Sequence, residues 1–490
     1  MAGIIAYGAY VPYHRLRRAD IAETLGSGGG KGTRSVASYD EDTTSMAVEA
    51  ARVALPPGRA RERVDQLFLA TATPPYLDKT NAAAVHAALG LDEQVLAADM
   101  TGAVRSGVAA LLAGAAAAVP TLSVLADLRT GAPGGADESA GGDGAAAFLF
   151  AGHREDMPVL AQLIGHSSVS DEILERWRLP GASSSRVWEE RFSEGIYVSQ
   201  AAKALTSALD GAGVAASAID HFAVAGLHAR ACATVRRSAD VRPEAHAPDY
   251  TGIIGNAGTA QPGLQLADAL DRAQPGETIA LVVLGDGVSV LLFRTTDALP
   301  AHRAAKPVAG QAAAGAPPMK YATFLSWRGM LDREPPRRPD PEPPYAPPAH
   351  RRAAWKYAFI GSRCEKCATR HLPAERVCRS CGEVDAMAAE PMEHVRGKVA
   401  TFTVDRLAFT PSPPMIAVVV DFDGGGRFRC ELTDATEAEA VIGGRVEMTF
   451  RRTVTANGIH NYFWKARPVR EAEAPAPATA DGNVSREGAR

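Results

Sequence analysis

The sequence predicts a duplicated α/β domain followed by a four-cysteine metal module and a small five-stranded β-barrel, and three observations carry that reading. Two ordered pairs of segments repeat within the first 300 residues, two C-x-x-C pairs lie close together near residue 370, and short alternating strands fill the stretch after them. With 490 residues, 46% hydrophobic and 22% charged, the chain is long enough for several cores and is far from a disordered composition. A formal charge of -4 offers no basic excess for a phosphate backbone and no polybasic membrane anchor, so nucleic acid and membrane surfaces are not expected partners.

The duplication rests on Val64-Asp65-Gln66-Leu67-Phe68-Leu69-Ala70 against Ile219-Asp220-His221-Phe222-Ala223-Val224-Ala225, each an apolar strand after an Asp. Gly142-Asp143-Gly144 leading to Phe148-Leu149-Phe150 is echoed by Gly285-Asp286-Gly287 leading to Leu291-Leu292-Phe293. Asp-Gly between apolar runs predicts a tight hairpin in both copies. Between these anchors, Ala-rich helices are predicted over 43–54, 104–118, 198–212 and 260–272, and strands alternating with helices imply α/β layers over residues 1–298. The apolar run Ser106 to Ala126 is broken by Pro120 and reads as a buried helix and then a strand, not a membrane span. The N-terminus lacks the charge pattern of a signal peptide, which together with the cysteine usage points to the cytoplasm. Residues 159–194, with Trp177 and Trp188 set among charges, read as an insertion, either a substrate lid or a structural cap.

After Leu299 the chain turns rich in Ala, Pro and Gly, and residues 331–350 hold eight prolines, which predicts a linker over 299–350. Within it, Tyr321 to Leu331 is an apolar-aromatic segment suited to a short docking helix. Cys364, Cys367, Cys378 and Cys381 have the spacing of a closed tetrahedral zinc site, structural because no position is left for water, with a redox pair as the competing reading. His371 between them reads as a surface residue. The zinc module is placed at 351–390. Strands are predicted at 399–404, 415–422, 427–432, 446–451 and 459–463, an OB-like barrel over 391–470 without the stacking aromatics and basic groove that oligonucleotides need. The tail, 471–490, reads as disordered.

The duplicated unit resembles the thiolase superfamily, and most closely its hydroxymethylglutaryl-CoA synthase and ketoacyl-ACP synthase III branch. The resemblance is carried by Gly8-x-Tyr10-Val11-Pro12, Asp42 to Ala51, Thr71 to Gly90, Asp99 to Leu111, Leu227-His228 and Gly255-Asn256-x-Gly258. The part from Tyr321 to Val469, with Trp327-Arg328-Gly329 and the four cysteines, is similar to the zinc-ribbon/OB proteins that accompany thiolase-fold enzymes of acyl-CoA metabolism. The resemblance implies a layered α/β/α/β/α fold, a homodimer, an acyl-CoA or acyl-ACP substrate, and a nucleophilic Cys at a helix N-terminus, where this chain has Val104. The position of the branch's acid/base Glu carries Ala72. His228 and Asn256 match the family's carbonyl-polarising His and oxyanion-hole Asn.

Valine has no nucleophilic atom, so acyl-Cys chemistry is not expected. Ser106 lies two residues along a helix and Cys232 one turn past His228, and both are weaker candidates. Two readings stay open. One is a noncovalent acyl-transfer, condensing or aldol-type enzyme using His228 and Asn256. The other is a non-catalytic scaffold that docks a partner thiolase-fold enzyme through the zinc-ribbon/OB part.

Overall fold

The computed structural model describes residues 2–55, 63–153, 157–334 and 342–470. The tail expected to be disordered and the centre of the Pro-rich stretch lie outside these residues. No helix among the described residues is long and apolar enough to cross a membrane.

The chain opens on β1 (Gly3–Tyr10). Helix α1 (Thr43–Ala54) starts where sequence predicts, because the Asp42 side chain accepts the Ser45 N–H at 2.9 Å while the Ser45 hydroxyl oxygen accepts the Asp42 N–H at 2.9 Å. Strands β2 (Gln66–Thr71) and β3 (Leu96–Thr101), helix α2 (Arg105–Ala116), and strands β4 (Thr121–Leu128) and β5 (Asp143–Ala151) complete a first half. The second half contains β6 (Ala161–Ser170), α3 (Glu190–Ala212), β7 (His221–Gly226), α4 (Ala229–Ser238), α5 (Gln261–Arg272), β8 (Thr278–Leu284) and β9 (Gly287–Thr295). All nine strands form one sheet in the order β7-β8-β9-β6-β1-β5-β4-β2-β3.

The two halves match strand for strand: β1 with β6, β2 with β7, β4 with β8, β5 with β9. The counterpart of β3 is reduced to a single parallel bridge between Phe222 and His246. Within the sheet, the halves join where Gly3 and Ile4 pair with Gln162 and Ala161. Helices α2 and α5 pack between the half-sheets, α1 covers the outer face of the first and α3 that of the second, which gives the layered α/β/α/β/α arrangement. An apolar cluster including Val108, Leu111, Leu264 and Leu281 fills the middle layer.

Four expectations need correction. Gly285-Asp286-Gly287 is a tight hairpin, with Asp286 at φ 44° and Gly287 at φ 108°, but its echo is not. A short helix, Ala136–Ala140, intervenes before β5, and Asp143 is the first residue of that strand. Its fully buried carboxylate accepts the Ala37 N–H at 2.7 Å and the Arg129 N–H at 2.8 Å and pairs with Arg34 and Arg328. Secondly, the insertion is shorter than 159–194, since β6 belongs to the sheet and α3 begins at Glu190. Only 171–189 is extra, including a two-stranded hairpin that pairs Arg176–Trp177 with Arg186–Val187.

Thirdly, the first part of the expected linker is packed. Leu299, Val308 and Ala312 are buried, and Tyr321 and Phe324 of α6 (Tyr321–Trp327) join Leu16, Ile21 and Val36 in a satellite core. Lastly, His371 is buried, on the short ribbon strand that pairs with Ser362 and Arg363.

The C-terminal part holds a three-stranded sheet, β10 (Ile360–Cys364), β11 (Arg370–His371) and β12 (Met387–Pro391), ahead of a five-stranded one. The latter comprises β13 (Gly397–Asp405), β14 (Met415–Phe422), β15 (Arg427–Glu431), β16 (Arg445–Ala456) and β17 (Ile459–Pro468), in the order β15-β14-β13-β16-β17. A parallel bridge between Leu432 and Ala466 draws its two edges together into a barrel.

The barrel shares a core with the α/β domain: Met46 and Ala50 of α1 belong to one cluster with Met448, Phe450, Tyr462 and Trp464. Around that core lies a buried ionic network. Arg451, fully buried, sits 3.2 Å from Asp40 and 3.0 Å from Glu41 and also pairs with Asp434. Lys465 reaches Asp40 at 2.9 Å, and Arg467 reaches Glu49 and Glu447 at 2.8 Å. Burial alone would raise the Glu49 carboxyl, but Arg467 and then Arg52 pull it down to about 2. Asp434 is also held well below the usual range, Arg451 overcoming its burial. Glu41 goes the other way, pushed up to about 7 by burial despite Arg451.

The signs give a pH window. Glu49 and Asp434, depressed in the fold, stabilise above their ordinary value of about 4 and lose that contribution as pH falls toward 2. Glu41, raised in the fold, contributes below about 4.3 and loses its contribution as pH rises through 7. Melting followed from pH 8 to 2.5 should therefore show highest stability in the mildly acid range and a steep fall below it. A midpoint that keeps rising down to pH 3 would refute this account of the interface.

Candidate active site

A cavity of about 520 Å³ opens between the ends of the two half-sheets and the 171–189 hairpin. Its floor is the N-terminal end of α2. Val104, immediately ahead of the helix, is buried and lines the cavity, as does Ala72, which follows β2. No cysteine lines it, among the described residues. The Ser106 and Gly107 N–H groups of this helix start donate to the Ala103 and Val104 carbonyls at 2.9 and 3.1 Å, so what the position offers is the positive end of the helix dipole, with a side chain that is no nucleophile.

His228 caps α4 from the same cavity. Its Nδ1 accepts the Ala231 N–H at 3.0 Å, which leaves the proton on Nε2, and that N–H donates to the Glu190 carbonyl at 2.7 Å. The Glu175 carboxylate stands 4.0 Å from Nε2 and accepts the Tyr197 hydroxyl at 2.7 Å and the Ser193 hydroxyl. Burial and then Glu175 hold the Tyr197 phenol far above its ordinary value. Asp286, at the β8–β9 turn, completes a polar end to the cavity, its carboxyl raised by burial and then by Glu172.

Asn256 is elsewhere. It lines a separate cavity of about 270 Å³, with Leu227 on the wall between the two. Its Nδ2 donates to the Gly226 carbonyl at 2.8 Å and its Oδ1 accepts the Gly258 N–H at 2.9 Å, so both ends of the amide are engaged by backbone. Cys232 lines this second cavity too, and burial pushes its thiol up to about 12, a poor nucleophile. The Ser106 hydroxyl accepts the Ala103 N–H at 3.4 Å and does not line the first cavity.

Of the expected residues, then, the fold unites Val104, Ala72 and His228 and separates Asn256 from them. Glu175, Tyr197 and Asp286 escaped the sequence reading. Glu175 and Tyr197 belong to an insertion and a helix with no motif. Asp286 was legible only as a turn residue, although that turn is what carries it to the cavity's rim.

The four cysteines converge. Their Sγ atoms lie within 4.8 Å of one another, with 3.6 Å for Cys364–Cys381 and 3.4 Å for Cys367–Cys378, both across the two C-x-x-C pairs. These distances exceed a disulfide's and suit the edges of a tetrahedron around an ion at about 2.3 Å from each sulfur. Cross-pair convergence fits a metal better than a C-x-x-C redox couple.

Residues 352–385 match the rubredoxin-like zinc ribbon domain of ChsH2, and residues 390–451 match its C-terminal OB-fold domain. The hydroxymethylglutaryl-CoA synthase of Methanopyrus kandleri is 30% identical over 303 residues, covering 58% of this chain and 84% of its own length. A solved β-ketoacyl-acyl-carrier-protein synthase III from Thermus thermophilus superposes at a TM-score of 0.52 with 27% identity, over 60% of this chain and 98% of its own. An HMG-CoA synthase solved with CoA superposes at 0.55 with 18% identity, over 66% of this chain and 89% of its own, a likeness of fold. Given that identity across most of a relative's length, and the strand-for-strand duplication, the chain belongs to the hydroxymethylglutaryl-CoA synthase family, with a ChsH2-type zinc ribbon and OB-fold domain fused behind it.

Proposed function

We propose that the chain is an acyl-CoA or acyl-ACP enzyme that performs aldol-type or acyl-transfer chemistry without a covalent acyl-enzyme. The observation that carries this reading is the large cavity lined by Val104 and Ala72, the residues to which the resemblance assigns the family's nucleophile and acid/base positions, with His228, Glu175 and Tyr197 clustered at one end. In the aldol form, the Glu175 carboxylate takes the α-proton of a bound acyl thioester. The enolate oxygen is held by the His228 Nε2–H, released from the Glu190 carbonyl, and the enolate carbon attacks a second carbonyl. The resulting alkoxide takes the proton back from Glu175, so no group stays on the protein. Asn256 acts in this scheme by holding the Gly226 carbonyl and the loop that carries His228.

His228→Ala should then lower the rate by roughly 100-fold with the fold intact, the usual cost of an oxyanion-stabilising donor. Intact-mass measurement with a panel of acyl-CoAs should show no stable adduct. An acyl increment mapped to Cys232 or Ser106, or an unchanged rate in the variant, overturns the scheme.

The scaffold reading draws support from one fact: His228 and Asn256 are both satisfied by backbone partners. Against it stands the barrel's burial of its cationic strands on this chain's own α1 and the Asp40–Asp42 segment ahead of it, which leaves that face unavailable to a partner thiolase-fold enzyme. A native pull-down that yields such an enzyme, with turnover only in its presence, would favour the scaffold.

We also propose one structural zinc per chain and a homodimer. The edge strand β3 supports the dimer, since it has a neighbour on one side only and is half exposed. Light scattering at micromolar concentration should give twice the chain mass of 51.3 kDa, and a monomer would refute it.

A further inference from the structure

The smaller cavity, behind Leu227, has a chemistry of its own. Three arginines line it, Arg18, Arg129 and Arg236, together with Gln265. Arg236 donates through Nη2 to the Ala247 carbonyl at 2.8 Å, and Arg18 donates to the Thr251 carbonyl, so both guanidiniums are anchored. The Nε–H of each is nevertheless buried with no acceptor in the protein. Gln265 shows the complementary lack: its Nε2 donates to the Val224 carbonyl at 3.1 Å, while its buried Oε1 has no donor.

Two carboxylates line the same cavity and offset the three arginines only in part. Both oxygens of Asp137 accept from Arg176 Nη1, at 2.9 and 2.6 Å, and Asp137 stays 3.9 Å from Arg129. Asp249 accepts the Thr251 N–H at 2.9 Å and lies 3.8 Å from Arg236. Burial lowers Arg18, with Asp249 offsetting it only in part, as expected of a cation short of an anion. Buried donors and acceptors are normally paired, so three unpaired atoms on side chains that line one void call for a ligand with both functions. At about 270 Å³ the void lies below the range of drug-sized sites and suits a molecule of few atoms.

We infer that this cavity binds a small oxyanion, a carboxylate or a phosphate, which accepts the Nε–H groups of Arg18 and Arg236 and donates a hydroxyl to Gln265 Oε1. Arg129 adds a third positive charge, and guanidiniums are suited to either anion. The site does not depend on the thioester chemistry of the larger cavity.

Calorimetry on the full zinc-loaded chain with inorganic phosphate and, separately, glycolate is the test. One binding event per chain is expected with at least one of the probes, and the tighter probe tells a tetrahedral from a planar anion. Arg18→Gln and Arg236→Gln should each weaken it at least tenfold. Gln265→Leu should weaken glycolate while leaving acetate, which lacks the hydroxyl, unchanged. Melting midpoints of the variants establish that they are folded, and the wild-type midpoint should rise with the binding probe. No heat and no midpoint shift from either probe with wild-type protein overturns the inference, as does equal affinity in the folded Arg18→Gln/Arg236→Gln double variant. Neither probe carries a thioester, so failure here would leave the proposed reaction standing, and the reverse.

Discussion

Cys378→Ser is expected to strip the ribbon of its metal and unfold it while the α/β domain keeps its structure. The four thiolates are brought together by β10, its turn and the segment after Pro373, in a module whose sheet has only three short strands. Such a module has too little apolar area to hold its own fold, and structural zinc supplies on the order of 10–16 kcal/mol in isolated zinc peptides. A serine hydroxyl is a far weaker ligand than a thiolate. The effect should stop short of the barrel's core, where Phe359, at the foot of β10, is fully buried against Trp355, Phe428 and Phe463. Metal analysis should find one zinc per wild-type chain and a large loss in the variant, and limited proteolysis should cut first between residues 364 and 387. Zinc-free wild-type protein, or a variant that retains full metal, would sink the assignment.

The second large effect is at Arg451. Its guanidinium is fully buried and faces Asp40, Glu41 and Asp434, three carboxylates drawn from both sides of the interface. Replacing such a cation by a neutral side chain leaves uncompensated charge in a dry site, which costs about 3–5 kcal/mol. Arg451→Met conserves much of the apolar volume, so the loss reads the charge and not a cavity. Denaturant unfolding should show the loss directly, and the carboxylates should take up protons, shifting the acid limb of the stability profile upward. Zinc content should not change, because the ribbon lies outside the network. A loss below about 1 kcal/mol would mean that the pairs are weakly coupled, as exposed pairs are.

What sequence alone determined about this protein is what short-range chemistry encodes. The Ala-rich run over 43–54 marks α1, alternation marks the five barrel strands, the cysteine spacing marks the metal site, and two segment echoes reveal the duplication. Tertiary structure decided whatever depends on partners far along the chain. Asp143 looked like a turn residue, yet Arg34 and Arg328, from opposite ends of the domain, bury it as a structural carboxylate. His371 looked exposed and is not, because burial is a property of the neighbours that pack on it. The barrel looked like a separable module, but Arg451 and Arg467 find only part of their counter-charge in the barrel region, at Asp434 and Glu447, and take the rest from Asp40, Glu41 and Glu49 of the α/β domain. His228 and Asn256 looked like one constellation, and Leu227 stands between their two cavities, since side-chain direction and backbone hydrogen bonds, which no motif records, decide what a residue faces.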